Sequence, residues 1–374
     1  MKLAYVGLPC QIEGLRKVDA LSEDIKQTWS RRVSLYIGLF CRENWAYTCF
    51  KALIEDDYDV KLGDVTKFDI KKGSIVVFQR NDEKLEFPLK ESKPYVRAGC
   101  QVCMDFSCEL ADLAVGAVGS PPKWSTVIVR TKLGGELLRM AEEGGYLEVK
   151  PIEKVKPGTG LIKRLSREKH EEALGEAKAR AGAGMAAPHV RSTDKTIEEV
   201  RVGAESKAFE ELEFEIIDRG LCSACGACEA ACPDGYINMV EERPTLAEEC
   251  EEECNACYLV CPRVALPVKV LKKEIFKDGQ RLEDGLGEFL GVYAVRAKDE
   301  ETLEKGQDGG AVTALMRCAL DKELVDGIVS VKAGEDPWKP VPALSRNKDE
   351  LMRTSGTYYS YATTIQMVRK GDAD

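Results

Sequence analysis

The chain has 374 residues, of which 44% are hydrophobic and 32% charged, and its formal net charge is −10. This length allows two or three domains with a sizeable core, and the acidic balance argues against a nucleic-acid partner because most of the surface would repel a polyanion. The sequence contains no apolar run long enough to predict a membrane-spanning segment. The first residues lack the basic start of a signal peptide, so we expect a cytoplasmic protein.

The first part of the chain is predicted to be a mixed α/β region. Apolar runs and helical periodicity, taken in chain order, indicate these elements. Strands are expected over 2–7, 33–40, 111–118 and 125–131, and helices after Pro9 and over 133–143. Alternating apolar residues over 66–88, around Asn81-Asp82, predict a hairpin.

The second part begins with a segment rich in Lys, Glu, Arg, Ala and Gly over 163–185. Its weak apolar periodicity predicts a solvated helix that serves as a plain connector, followed by a linker near 181–196. A cysteine-rich insert at 215–265 and an acidic bridge near 275–290 come next. A further α/β unit is then expected, with strands at 290–296 and 325–332 and a helix that opens at Gly309-Gly310.

Cysteines carry most of the chemical signal. The chain has 15 of them and only two histidines, His170 and His189, both in charged or Gly/Ala-rich stretches. In a reducing compartment, many cysteines more often indicate metal ligands than disulfides. Zinc–histidine chemistry and a serine–histidine–aspartate triad are not expected, and both histidines are predicted at the surface.

A ferredoxin-like pattern lies between residues 222 and 262. The run C-x2-C-x2-C-x3-C-P is followed by C-x3-C-x2-C-x3-C-P, which is typical of a bacterial ferredoxin with two 4Fe–4S clusters. In this pattern three closely spaced thiolates hold one cube, and the cysteine before proline reaches the other. We assign Cys222, Cys225, Cys228 and Cys261 to one cluster, and Cys250, Cys254, Cys257 and Cys232 to the other. The alternative, a pair of zinc ribbons, does not need the run that ends in proline.

Four further cysteines are dispersed along the first part of the chain. They are Cys10, Cys41, Cys100 and Cys103. Two follow predicted strands and two form a C-x2-C turn, so they could converge on a third cluster. A zinc ion or unligated core cysteines fit the spacing equally well. Cys108 is an alternative ligand, whereas Cys49 and Cys318 are predicted core residues.

Two loops have a composition that suits a cofactor. Residues 307–313 open a helix with two glycines, where free N–H groups and the helix dipole favour a phosphate. Residues 116–126 combine glycine, serine and an aromatic residue after a strand, which suits a flat ring. An ordinary helix start and an ordinary Pro/Gly loop are the alternatives, because neither a Rossmann G-x-G-x-x-G turn nor a Walker sequence is present.

At these motifs the chain resembles the β subunit of coenzyme F420-reducing hydrogenase and its relatives. Those relatives include the input subunit of F420H2 dehydrogenase, the β subunit of F420-dependent formate dehydrogenase and the front half of F420-dependent sulfite reductase. The resemblance covers nearly the whole chain. Its matching stretches lie at 6–17, 38–48, 98–120, 124–131, 156–161, 307–320, 337–340 and 355–362.

The resemblance implies an α+β fold, with a mixed α/β flavin-binding core and an inserted bacterial-type ferredoxin domain. It implies three 4Fe–4S clusters, FAD and coenzyme F420 as substrate. The ligands of the core cluster would be Cys10, Cys41, Cys100 and Cys103. The flavin would be lined by Asp308, Gly309, Gly310, Thr313, Trp338, Lys339, Ser355, Gly356, Thr357, Tyr358, Ser360, Gly119, Ser120, Trp124, Ser125 and Thr126.

The order of the units differs from that of the family, in which the ferredoxin insert usually precedes the QDGG unit and the GLPCQ unit comes last. We interpret the chain as a circular permutation of the family fold. Residues 1–190 would be the C-terminal half of the flavoprotein core with the charged helix, 191–270 the ferredoxin domain and 285–374 the N-terminal half of the core. Met1 and Asp374 should then be neighbours, since permutation is tolerated where termini are close; an artefact of gene assembly is the other explanation.

The implied reaction is hydride transfer between coenzyme F420 and FAD, with single electrons relayed through the clusters in either direction. No catalytic residue is assigned, because the protein's task is to orient the rings. The implied partner is a redox subunit, namely a hydrogenase, formate dehydrogenase, membrane dehydrogenase or reductase, and it could bring the chain to a membrane surface. The alternatives are an FAD/iron–sulfur reductase of another two-electron substrate and a flavin-free polyferredoxin electron carrier.

Overall fold

The computed structural model describes residues 1–71, 73–185, 195–250, 254–276 and 279–371. Its strands are β1 (Leu3–Gly7), β2 (Val33–Leu39), β3 (Val65–Lys71), β4 (Ser74–Gln79), β5 (Lys84–Pro88), β6 (Leu113–Gly116), β7 (Ser125–Val129), β8 (Leu147–Pro151), β9 (Ile237–Val240), β10 (Arg243–Leu246), β11 (Arg281–Glu283), β12 (Gly287–Phe289), β13 (Gly291–Ala297), β14 (Gly327–Ala333) and β15 (Pro340–Ser345).

The helices follow the same chain order. They are α1 (Pro9–Ala20), α2 (Tyr47–Glu55), α3 (Ala98–Gln101), α4 (Lys132–Glu143), α5 (Thr159–Gly182), α6 (Ile197–Val202), α7 (Phe209–Leu212), α8 (Ala227–Ala231), α9 (Ala256–Val260), α10 (Val268–Ile275), α11 (Glu300–Lys305), α12 (Ala311–Asp321), α13 (Lys348–Met352) and α14 (Ile365–Lys370). Across the described helices, none combines the length and apolar composition needed to cross a membrane.

A mixed eight-stranded sheet forms the centre of the described structure, in the order β15-β14-β1-β2-β6-β7-β13-β8. The strands from β14 through β1 and β2 to β6 are parallel, and the remaining pairs are antiparallel. Strands β1 and β7 are nearly continuous apolar runs because both faces of the sheet are covered. One face packs on α1 and the cysteine-rich region, the other on α4 and α12.

The first and last parts of the chain share this sheet. Strand β14 pairs with β1, with Leu3 opposite Gly327, and β13 lies between β7 and β8. The two stretches therefore form one layer, as the interpretation of two halves of one core requires. Asp374 lies outside the described residues. The last described residue, Gly371, is close to the start of the chain, since a Cβ built on it would lie 3.6 Å from Met1 Cε.

The segment at 66–88 is more elaborate than the single hairpin that its pattern predicts. It forms a three-stranded antiparallel sheet, β3-β4-β5. The predicted turn at Asn81-Asp82 joins β4 to β5, and a second turn before β4 contains Gly73 at φ 83°. Glycine adopts this left-handed conformation without steric cost. This sheet packs with α2 in a separate apolar cluster.

Helix α5 corrects the prediction of a plain solvated connector. Its buried positions, which include Ile162, Ser166, Lys169, Ala173 and Ala177, recur every three or four residues and form one face of the helix. This buried face includes the polar residues Ser166, Lys169 and Arg180 beside two alanines, which is why the apolar periodicity of the sequence is weak. His170, next to Lys169, is exposed as predicted; His189 lies outside the described residues.

Candidate redox centres

The four dispersed cysteines converge where the parallel part of the sheet ends. Cys10 lies in the first turn of α1 directly after β1, and Cys41 lies just beyond β2. Cys100 lies in α3, and Cys103 lies two residues beyond the end of that helix. Burial together with the thiols of Cys103 and Cys100 raises the pKa of Cys10 to about 12. Burial also raises the pKa of Cys41; Lys169 opposes this rise, and the other three thiols add to it. We name these four residues the core set.

Cations from separate elements surround the core set. Lys169, on α5, is 4% exposed, and its Nζ donates to the carbonyl oxygens of Cys41 at 2.6 Å and Asp105 at 2.7 Å. Nη2 of Arg263 donates to the Gly99 carbonyl at 3.1 Å, one residue before Cys100. Burying cations is costly unless negative charge faces them. Four thiolates on an iron–sulfur cube would supply that charge, so the residues fit a 4Fe–4S cluster.

Among the residues that the structure describes, no three His, Cys, Asp or Glu side chains are close enough to hold a single metal ion. A cube of four irons and four sulfides is wider than one ion, so its ligands stand further apart.

The first ferredoxin set surrounds a cavity. The walls include all four cysteines assigned to one cluster, Cys222, Cys225, Cys228 and Cys261, with apolar residues such as Leu212 on the far side. Three of these cysteines lie on or just before α8. The fourth follows α9, so the two short helices bring the set together as the spacing predicts. We name these residues the near set.

The second ferredoxin set is also assembled. Burial raises the pKa of Cys250 to about 11, with Cys254 and Cys232 adding to the rise. Burial raises the pKa of Cys257 too, and the thiols of Cys254, Cys250 and Cys232 add to it. These four residues are named the far set. The extra residue between Cys250 and Cys254 falls at 251–253, outside the described residues.

The near set lies beside both of the other sets. A Cβ built on Gly14 of α1 would lie 3.2 Å from Cys225 Sγ, and one built on Gly99 would lie 2.2 Å from the Cys222 carbonyl oxygen. The core set and the near set therefore approach each other backbone to backbone. The thiol of Cys257 is one of the charges that raise the pKa of Cys228 after burial, which places the far set beside the near set.

An ion pair joins the cysteine-rich region to the core beside these sets. Glu242, in the β9–β10 turn, pairs with Arg97, and their side chains are 15% and 10% exposed. Glu242 also accepts the Tyr47 N–H at 2.9 Å. Both residues of the turn, Glu241 at φ 47° and Glu242 at φ 62°, adopt the left-handed conformation that suits glycine. The paired carboxylate offsets this local strain.

Removing the Glu242–Arg97 ion pair should destabilise the chain more than a change at the neighbouring residue does. Glu242→Ala should lower the free energy of unfolding by about 3 kcal/mol, because it leaves Arg97 buried without its carboxylate. Glu241→Ala, at the exposed neighbouring position with the same backbone conformation, should change it by less than about 0.5 kcal/mol. Denaturant unfolding of the cluster-loaded chain measures both. Equal losses for the two variants would contradict a specific role of the ion pair.

Two of the loops predicted to line a flavin, 119–126 and 307–313, meet at Ser125. Gly309 N donates to Ser125 Oγ at 3.1 Å, and a Cβ on Gly309 would lie 2.6 Å from the Ser125 nitrogen, so only glycine fits. Nearby, Ser120 Oγ and Thr126 Oγ1 are 2.7 Å apart, which closes the 119–126 loop on itself. Gly310, at φ 66°, then caps α12.

The loop at 355–360 joins the same region and leads to the core set. Thr313 Oγ1 and Ser355 Oγ are 3.3 Å apart. Beyond the loop, Tyr361 is buried and its hydroxyl lies 4.0 Å from Cys10 Sγ. Gly356 and Thr357 are exposed at the tip of the loop. The segment from Ser355 to Tyr361 therefore contacts the first turn of α12 at one end and the core set at the other.

The other predicted lining residues have partners on the three-stranded sheet and beyond it. Trp338 Nε1 donates to the Val65 carbonyl at 3.2 Å, and the Tyr358 ring lies 6.2 Å from the Trp338 ring. Ser360 Oγ donates to the Trp338 carbonyl at 2.7 Å.

The remaining predicted lining residues have charged partners. Lys339 Nζ pairs with Asp336 at 3.1 Å, and Lys150 Nζ lies 4.0 Å above the Trp124 ring. Burial and Asp69 raise the pKa of Asp308.

Comparison with known proteins shows which class of protein these features define. A 4Fe–4S binding domain is recognised at residues 215–235, so fold and cysteines together define an iron–sulfur protein with a mixed α/β core. Two further family models match, both of the coenzyme F420 hydrogenase/dehydrogenase beta subunit: the model of its C terminus at 1–155 and the model of its N terminus at 292–369. The chain belongs to this beta-subunit family. The C-terminal part comes first, which confirms the order inferred from the motifs.

Individual relatives match about half of the chain or less. The coenzyme F420 hydrogenase subunit beta of Methanothermobacter thermautotrophicus is 40% identical over 50% of this chain and 66% of its own length. Its counterpart from Methanosarcina barkeri is 39% identical over 46% and 58%. The coenzyme F420-dependent sulfite reductase of Methanocaldococcus jannaschii is 39% identical over 41% and 26%. The matched part spans less than two thirds of each relative.

Proposed function

We propose that the chain is the F420-reactive subunit of an oxidoreductase, passing electrons between coenzyme F420 and a partner redox subunit. The observation that carries this proposal is the adjacency of the three cysteine sets, of which the core set contacts Tyr361, the residue after the loop at 355–360, through Cys10. The names of the relatives, which include a hydrogenase, a sulfite reductase and a formate dehydrogenase, support it.

The core set, the near set and the far set would each hold one 4Fe–4S cluster. A bound cluster accepts and donates one electron at a time. The protein brings the sets together through α1, α3, α8 and α9 and places buried cations beside the core set. In this proposal the near set hands electrons between the core of the protein and the far set, where Cys250 and Cys254 are partly exposed.

FAD would lie between the 119–126, 307–313, 338–339 and 355–360 loops. When bound, it exchanges hydride with a two-electron donor and single electrons with clusters. The first turn of α12 offers free N–H groups at a positive helix end, which suits the pyrophosphate. Ser125 holds the Gly309 backbone in place. The role of these residues is orientation, so no catalytic acid or nucleophile is proposed.

The domain division follows from this assignment. Residues 1–190 and 285–374 would be the two halves of the flavoprotein core, and 191–270 the ferredoxin domain. The far set would face the partner subunit, and the chain would work in the cytoplasm or at a membrane surface through that partner.

Anaerobic purification and a reduction titration test the proposal. We expect about 12 iron atoms per chain, one bound flavin, and bleaching of the flavin absorbance by reduced coenzyme F420 but not by NADH. A chain without flavin would instead be a polyferredoxin electron carrier. Bleaching by NADH alone would indicate a reductase of another two-electron substrate.

A further inference from the structure

Arg263 spans the contact between the core set and the near set. It follows Cys261-Pro262, so its backbone belongs to the near set, and it is one of the residues that line the near-set cavity. The charge of its side chain opposes the rise that burial causes in the pKa of Cys222. Nη2 of the same side chain donates to the Gly99 carbonyl at 3.1 Å, one residue before Cys100 of the core set. One guanidinium therefore lies against the backbones that carry two different sets of thiols.

The surroundings of Arg263 are tightly packed and charged. At Gly99 there is no space for a Cβ, which would lie 2.2 Å from the Cys222 carbonyl oxygen. Arg263 Nε is buried and has no hydrogen-bond partner among the described residues. The charged groups that face the guanidinium, besides the thiols of Cys103 and Cys10, include Glu13 on α1, which is itself 5% exposed.

We propose that Arg263 is a positioning residue that sets the reduction potentials of the core and near clusters together. Each cluster gains one electron on reduction and no bond is made or broken, so its reduced form carries one more negative charge. A buried cation beside both clusters stabilises both reduced forms, and in a low-dielectric interior that effect is large. Arg263 thereby makes electron uptake by either cluster more favourable and offsets the repulsion between them. This inference rests on the proposed clusters and not on FAD or coenzyme F420.

An EPR-monitored redox titration of the complete, cluster-loaded chain tests the inference. In Arg263→Gln the equilibrium constant for reduction should fall about tenfold for two of the three clusters, which corresponds to about 59 mV for one electron. The third, in the far set, should not change. Arg263→Lys keeps the positive charge, so the reduction potentials of the core and near clusters should stay close to those of the unaltered chain. Arg243→Gln, an exposed arginine of the same region that pairs with Asp218, is the control and should leave all three unchanged.

Two results would overturn the inference. One is Arg263→Gln with full iron content and three unchanged potentials; the other is Arg263→Lys with the same loss as Arg263→Gln, which would show a geometric rather than an electrostatic role. If Arg263→Gln loses iron, its reduction potentials no longer test the inference, and the potentials of Glu13→Gln are measured instead. Removing that facing negative charge must raise the same two potentials, and an absent rise refutes the proposal. The iron and flavin content of the unaltered chain tests the proposed function separately.

Discussion

Cys41→Ala is expected to lower the iron content from about 12 to about 8 atoms per chain while the near and far sets keep their clusters. Cys41 lies beyond β2, and Lys169 donates to its carbonyl oxygen at 2.6 Å. The cube of the core set would lose a ligand in an interior that also buries cations. Iron analysis and the EPR spectrum of the reduced chain measure the result.

Cys49→Ala is the matched control for this experiment. Cys49 lies on α2, is partly exposed, and belongs to none of the three sets. Its replacement should leave about 12 iron atoms in place. A Cys41→Ala chain that retains the full iron content would remove the core set from the proposed path. A drop to about four would show that the core set and the near set assemble only together.

The second large effect concerns Gly99. In Gly99→Ala the new Cβ would lie 2.2 Å from the carbonyl oxygen and 2.7 Å from the carbonyl carbon of Cys222. Backbone atoms cannot rotate away, so α3 and the near-set loop must separate, and both carry cluster ligands. Overpacking of a tight interior typically costs about 1–3 kcal/mol. We expect a loss of at least that size in the free energy of unfolding, together with loss of iron.

Gly175→Ala controls for the change from glycine to alanine itself. Gly175 lies inside α5, and a Cβ built on it meets nothing within 4 Å. Alanine in a helix interior should stabilise the chain by about 0.4–1 kcal/mol. Thermal unfolding and iron analysis of both variants make the comparison. If Gly99→Ala behaved like Gly175→Ala, the close backbone contact between the core and near sets would be wrong.

The two ferredoxin sets could be assigned from the sequence alone because their ligand pattern is local, and the assignment stays a prediction. Three thiolates within seven residues and a cysteine before proline are fixed by chain geometry, and the structure assembles the near set and the far set as the spacing requires. The core set was different. Its cysteines come from three separate segments, so spacing left zinc and unligated cysteines open. The core cluster is implied by the resemblance to the family and stays a prediction.

The order of the strands in the sheet and the burial of two charged side chains could not be predicted from the sequence. Nothing local in β13 indicates that it lies between β7 and β8, because strand order is set by contacts across the whole chain. Lys169 and Arg263 look like surface residues in the sequence. Only the packing of α5 on the core and the path of the Arg263 side chain across to Gly99 reveal them, since neither has a motif of its own.

The pairing of β1 with β14 has a consequence for biosynthesis. Leu3 lies opposite Gly327, so β1 leaves the ribosome long before β14, its second neighbour in the sheet. Contacts of such high sequence separation slow folding, and an unpaired strand edge invites association with other chains. One edge of β1 therefore stays unpaired until β14 has been made, and Cys10, which follows β1, reaches its final surroundings only after that pairing.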